Sequence, residues 1–392
     1  MKKNHLIPLL ISILFSDIAY AEITLTPYAP TNSIHDIRQI EATEDGELVV
    51  ITQKGELWKT QQTDSQLLLN NASSDIAPKA DYGRIALSDN KGNFLLWTKD
   101  RIYSSQIPMA ENAGMIGLAF ATIGVVKEGN IHKLARIETQ GDQAVITATS
   151  NQAVLPDAHP IQINLTAKDE KQGHIAVLAS PDSERYQHAA LGDQWEATDL
   201  LYLERHSLTP LATMLNLKEG FVFEANQLAS LYQNGKNLLV TTISGGGMGA
   251  KAAIIGIEND ALTLLAESQP LPSHRWQSPF HFGETLYAVQ MPHLVGKLVE
   301  YQQEGKILQE KIIGQGFSNH QYGKYETDLT AKTEQFAVIP HYGYKQVSIM
   351  DKQGKLRPLE TQLPAPIEKT RADNQRVYLL LKNGQVWVVE DK

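Results

Sequence analysis

The sequence predicts an all-β fold, a single β-propeller of seven or eight four-stranded blades, on three observations. Short β-type runs punctuated by turn residues continue to the C-terminus, with no convincing long amphipathic helix among them. A strand–loop–Lys–strand–turn–strand pattern recurs 48 to 49 residues apart, and a period in the forties with several strands per unit marks propeller blades. The last hairpin lacks an outer strand, whereas "ITLTPYA" (23–29) is a strand without a partner. Pairing the two closes the ring and removes two exposed sheet edges.

In chain order, residues 1–21 read as a cleaved secretory signal: Lys2 and Lys3, an apolar run from Leu6 to Phe15, then Ala19-Tyr20-Ala21 ahead of Glu22. The run is too short to span a bilayer, which takes roughly 20 apolar residues. The expectation is a soluble periplasmic or secreted protein, with residues 22–392 as one propeller domain. No cysteine occurs, which excludes a lipid anchor at the cleavage site, disulfides, thiolate nucleophiles and Cys-ligated metals. Losing Lys2, Lys3 and Asp17 with the signal moves the formal charge from −9 to −10. A modestly acidic chain with no basic stripe is a poor candidate for nucleic acid or anionic lipid.

"GELVVITQKGELWKT" (46–60), "GNFLLWTKDRIYSS" (92–105) and "QRVYLLLKNGQVWVVE" (375–390) each read as strand, tight turn, strand, and Asn383-Gly384 suits a type I′ turn. "MIGLAFATIGVVKEGNIHKLARIE" (115–138) supplies a further blade. "DLLYLERHSLTPLATMLNL" (199–217) is the best helical candidate, though Pro210 and its β-rich start weigh against a helix. Among the later repeats, "YAVQMPHLVGKLVEYQQEGKI" (287–307) matches "FAVIPHYGYKQVSIMDKQGKL" (336–356), setting Pro292-His293 on Pro340-His341 and Lys297 on Lys345. The alternative all-β arrangement, two sandwich domains, predicts no such period.

On these repeats the chain resembles bacterial exported β-propellers, the broad group that includes quinoprotein-like and YVTN-type propellers. The resemblance covers most of the chain and is one of fold. The WD dipeptide and the regular Ala-Leu-Asp…Thr-Gly signature are absent, so no family's functional residues carry over.

In a four-stranded meander the loop between the second and third strands shares a face with the segment leading into the next blade. On that face fall "SPDSERYQHAALGDQWEATD" (180–199), "SGGGMGAK" (244–251), "MPHLVGK" (291–297) and "PHYGYK" (340–345), with lead-ins "LPSHRWQSPFH" (271–281) and "GFSNHQYGKYE" (316–326). Turns expected on the opposite face, "EGK", "KQGK" and "END", carry ordinary solvated turn residues. Histidines and aromatics therefore gather on one face of the blades spanning about 174–356.

Each candidate has a functional and a plain reading. His341, Tyr342, Tyr344 and Lys345, echoed by His293, offer acid–base or hydrogen-bonding groups, or simply a turn packed on its neighbours. His274, Arg275 and Trp276 offer an anion fork beside a flat apolar ring, or packing between blades with arginine at the rim. His320 and Tyr322 stand at the equivalent place one blade on. Arg185 and His188 belong to the longest loop, a lid or a variable insertion. Gly246 lies in a glycine run that lacks both the phosphate-loop spacing and the helix such a loop opens, so it serves loop bending or close approach of a ligand. No metal-binding helix motif is present and no cofactor is expected; a structural calcium ion stays open.

Two function classes follow. One is a monomeric, non-catalytic propeller binding a glycan or another exported protein. The other resembles propeller polysaccharide lyases in residue types: Arg275 would neutralise a uronate carboxylate, His320 or His341 would remove the neighbouring proton, and Tyr344 or Tyr322 would protonate the leaving oxygen.

Overall fold

The computed structural model describes residues 22–61, 63–166 and 173–391; the expected signal, residues 1–21, lies outside them. Consecutive antiparallel pairings set the strands in successive groups of four, the units of the fold, spanning 37–69, 79–108, 115–153, 161–216, 229–268, 277–314, 331–358 and 367–391, with Phe221–Phe223 joining the fourth group to the fifth and short parallel bridges joining the second to the third and the fifth to the sixth. The last unit takes its outer strand from Ile23–Pro27, which pairs with Val386–Asp391 and sets Leu25 opposite Val389. The chain is all-β, and its only described helical element is a short 3-10 turn at Ala29–Thr31.

Alternation explains why the units stack. In the strand Leu48–Thr52 every residue is buried, because successive side chains point to opposite faces and each face has a neighbour. Leu48 and Val50 pack with Tyr378, Leu380 and Val386 of the eighth unit, whereas Val49 and Ile51 pack with Ile85, Leu87 and Leu95 of the second. The same logic places Phe280, Val289 and Leu298 of the sixth unit against Ile339 and Met350 of the seventh. A strand that feeds two cores reads as a continuous apolar run.

Two local expectations differ from the fold. The hairpin read at 92–105, whose bare turn "TKDR" is expected between second and third strands, instead joins the third and fourth strands of its unit, Asn93–Trp97 and Ile102–Pro108, so the turn lies on the opposite face. The corresponding second-to-third turn is residues 89–92. Each hairpin of a meander looks alike locally, and only the pairing of Arg84–Ser88 with Asn93–Trp97 fixes the phase. The helical candidate 199–217 is instead the strand Glu196–Leu203, a turn held by Leu208 N–H donating to Glu204 O, and the short strand Leu215–Asn216.

Candidate functional site

Loops 183–195, 246–247, 291–296 and 341–346 join second and third strands in the fourth to seventh units, and lead-ins 269–276 and 315–330 open on the same face. The backbone there is demanding. His274, Met291 and Tyr344 take φ of 54°, 50° and 59°, a left-handed region that bulky residues avoid. Gly246, also left-handed, sits where a Cβ would come 2.6 Å from Phe221 Cζ, and at Gly296 it would meet Phe317 O at 1.9 Å. Both loops therefore require glycine.

Around Trp276 the fold gathers His188, His274, His293, His320 and Tyr322. The indole is buried and its Nε1–H donates to Glu224 O at 2.9 Å. His293 lies parallel to it at 6.2 Å, His320 tilts against it at 4.7 Å, and Tyr322 meets His293 edge-on at 5.3 Å. Beyond Glu224, His188 Nδ1 donates to Glu224 Oε1 at 2.5 Å, and the Ser244 hydroxyl donates to Oε2. The His188 and His274 rings stand 5.5 Å apart, and Tyr186 stacks on His274 at 6.0 Å. Glu224 is fully buried and links the two ring groups.

The hydrogen bonds assign the tautomers of one histidine pair. Lys324 O can only accept, so His320 Nε2, 2.8 Å away, carries a proton. His320 Nδ1 then accepts from His293 Nε2 at 2.9 Å, which leaves His293 Nδ1 with the lone pair. Burial lowers both imidazoles, His320 to about 3 and His293 to about 4, with the charge of His188 adding to the second. The pair is neutral at pH 7, and both nitrogens of the buried His320 are engaged.

The remaining expected residues lie outside the ring contacts of this cluster. Tyr344 hydroxyl donates to His320 O at 2.7 Å and lies 2.8 Å from Ser318 Oγ, so it braces the lead-in. His341 Nε2 lies 2.8 Å from Ser348 Oγ and its ring packs on Phe317 at 4.7 Å. Arg275 is exposed, with Nη1 donating to His274 O at 3.0 Å. Tyr342 and Lys345 are exposed, and Arg185 is held by Asp182 at 3.3 Å and by Leu217 O at 3.3 Å.

Sequence reasoning passed over the buried acids and the central ion network. Glu196 is buried, and its carboxyl is pushed well up by desolvation and then by the charge of Glu224. Asp157, raised to about 7 mainly by burial and then by Asp193, receives a hydrogen bond from Asn226 Nδ2 at 3.0 Å. Inner strands and lead-in segments of seven units line a central cavity of about 280 Å3 that includes Glu41, Lys79, His159, Glu326 and Arg371. Arg371 bridges Glu326 at 2.6 Å and Glu41 at 3.3 Å, Lys369 reaches Glu326 at 3.4 Å, and Lys79 reaches Glu41 at 2.6 Å. Burial alone would raise Glu326, but Arg371 and then Lys369 outweigh it and hold the carboxyl near 2. The signal in the sequence was slight: charged residues in the first strands of units, as in "IRQIEA" and "IEKTRA". Among the described residues no group of three or more histidines and carboxylates is arranged to hold a metal ion.

The same face carries exposed apolar side chains. Trp195, Met248, Leu294, Val295, Tyr322 and Tyr342 are each between 41% and 64% exposed. They come from loops, a lead-in and one strand start on a single face of four consecutive units.

No family model matches the chain, and no curated protein matches it. Solved structures do share its fold. Sqt1 of Saccharomyces cerevisiae is similar with a TM-score of 0.58 at 10% identity, covering 95% of this chain and 99% of that one. The Dos1 propeller is similar with a TM-score of 0.58 at 8% identity over 93% of each chain. The computationally designed Ika8 protein has a TM-score of 0.53 at 11% identity, covering 93% of this chain and 97% of its own. The chain is thus a β-propeller. No described helix is long and apolar enough to cross a membrane.

Proposed function

We propose that this propeller works outside the cytoplasm as a monomeric binding protein, and that the face carried by the fourth to seventh units docks another exported protein. The observation behind this reading is the set of six large apolar side chains left in water on one face of four neighbouring units. Burying such side chains against a partner is worth about 25 cal/mol per Å2 removed from water, and contiguous exposed apolar patches mark interaction sites. The ring cluster on that face supplies a rigid support, since each histidine in it is held by a hydrogen bond or ring contact. A protein partner suits the surface better than a glycan, because Trp276, the flattest ring, is buried and offers no open face for a sugar to stack on.

The chemistry of a lyase finds less support. A general base must reach its proton directly or through one water, yet His320 is enclosed with both nitrogens engaged.

The test is partner capture from the cell envelope with the mature protein, comparing the wild type with a Leu294→Asp/Tyr342→Ser double variant of unchanged melting temperature. A specific partner retained by the first and weakened at least tenfold in the second is expected, since truncated hot-spot residues cost about 2 kcal/mol or more. Equal capture by both proteins, or absorbance of an unsaturated product when a uronate panel is added, would sink the proposal.

A further inference from the structure

The opposite face carries an aromatic pair that the turn chemistry did not announce. Phe120 is 82% exposed, the most exposed of the large apolar side chains, and Tyr82 is 51% exposed. Both occupy turns between the first and second strands, Tyr82 in the second unit and Phe120 in the third, so they face away from the patch described above.

Three observations set them apart from stray surface residues. The two turns are fastened together: Gly117 N–H donates to Asp81 Oδ2 at 3.0 Å, and Arg84 Nη2 donates to the carbonyls of Leu118 and Ala121. A Cβ at Gly117 would stand 2.5 Å from Asp81, so the approach is as close as backbone allows. Tyr82 holds φ +53° and Gly83 φ +67°, a hairpin turn in which asparagine is the comfortable first residue and a tyrosine is strained. Beside Tyr82, finally, opens a cleft of about 130 Å3 between the first two units, with Trp97, Ala80 and Ile85 in its wall.

The cleft carries one more acid than base, and among the described residues the unpaired acid is Glu44. The cleft's acids are Glu44, Asp45 and Asp81, and its bases Lys59 and Arg84. Lys59 is shared by Asp45 at 3.3 Å and Glu47 at 2.5 Å, Asp81 is met by Lys79 at 3.6 Å, and Arg84 is committed to the two carbonyls. Glu44 is exposed and has no cation in ion-pair reach among the described residues. The whole chain is net negative as well.

We propose that Tyr82, Phe120 and the adjoining cleft form a second docking site, for a protein segment that carries an aromatic side chain next to a basic one. The aromatic side chain would pack against Tyr82 and Phe120 and reach into the cleft toward Trp97, and the cation would sit at Glu44, the acid that has no cation of its own among the described residues. With one site on each face and on different units, the propeller bridges two partners at once. The site is independent of the one under Proposed function, and either can fail without the other.

The probe is a dye-labelled, end-blocked hexapeptide Gly-Phe-Lys-Phe-Arg-Gly, followed by fluorescence anisotropy against the mature protein, with a copy bearing glutamate in place of lysine and arginine as control. Saturable binding tighter than about 1 mM is expected, weakened about tenfold by Phe120→Ser and by the acidic copy, and unchanged by Leu294→Asp/Tyr342→Ser. Because Phe120 is in water, its replacement leaves the core intact. Binding that does not saturate, that survives Phe120→Ser, or that disappears with the opposite-face double variant overturns the proposal. So does self-association by sedimentation that Phe120→Ser abolishes, which would make a second copy the occupant.

Discussion

His320 shows how burial, not sequence neighbours, sets a side chain's chemistry. "SNHQYGK" suggested a histidine in an open loop, but the lead-in folds under Trp276 and Tyr344 and the ring is enclosed. The cost of charging it there lowers its folded-state value to about 3 and that of His293 to about 4, against 6.5 in an unfolded chain. A base whose folded value is depressed adds stability above the unfolded value and loses it as pH falls toward the folded one. Stability to denaturant is therefore expected to decline from about pH 6.5 down to pH 4, well before most carboxylates titrate. In His320→Gln, which keeps a donor for Lys324 O, that decline should be shallower, while stability at pH 7 drops by about 1–2 kcal/mol. An unchanged slope in the variant, measured by urea unfolding at a series of pH values, would show that the pair does not titrate as its burial implies. Of the expected residues, His274 with His320 and His293 with His341 could be placed on one face because each pair matches at blade spacing. Glu224, which links the two ring groups, could not: a lone glutamate in "FVFEANQ" carries no local sign that its carboxylate will be fully buried between His188 and Ser244.

Loops were legible as elements wherever the repeat supplied a template. The match of 287–307 with 336–356 located both second-to-third loops, and the strands Thr285–Gln290, Lys297–Glu304, Phe336–Pro340 and Val347–Asp351 flank them. It could not say why each loop holds its shape. Gly296 N–H donates to Met291 O at 3.0 Å, and the glycine lies so close to Phe317 O that no side chain fits. Gly296→Ala should destabilise the fold by about 2–4 kcal/mol, combining left-handed strain with a backbone clash. It should also weaken partner capture on the patch, because Leu294 and Val295 ride on the same loop. A melting temperature equal to the wild type's would show that the loop relaxes freely. The misplaced face of the 92–105 hairpin has the same origin as the successes: periodicity identifies hairpins, and pairing decides which strands of the unit they are.

At the scale of the whole molecule, Ile23–Pro27 and Val386–Asp391 hold the two ends of the described chain in one sheet. Leu25 is buried there, and Tyr28 hydroxyl lies 3.2 Å from Thr60 Oγ1 in the first unit. Deleting residues 22–28 should bare the edge of the last strand, lower the melting temperature by about 5 °C or more and promote aggregation; a truncated protein that melts like the full one would mean the pairing contributes little. The all-β class, the repeat and the crowding of histidines and aromatics on one face of the later units could be read from sequence, because alternation and turn chemistry are local and repeat. The ion network of Glu41, Lys79, Glu326 and Arg371 could not, since its members lie up to 330 residues apart, Glu41 to Arg371, and meet only where inner strands converge on the axis. Nor could the exposure of Phe120 or the enclosure of His320. Which side chains end in water and which in the core depends on how neighbouring units stack, and stacking is a property of the closed fold.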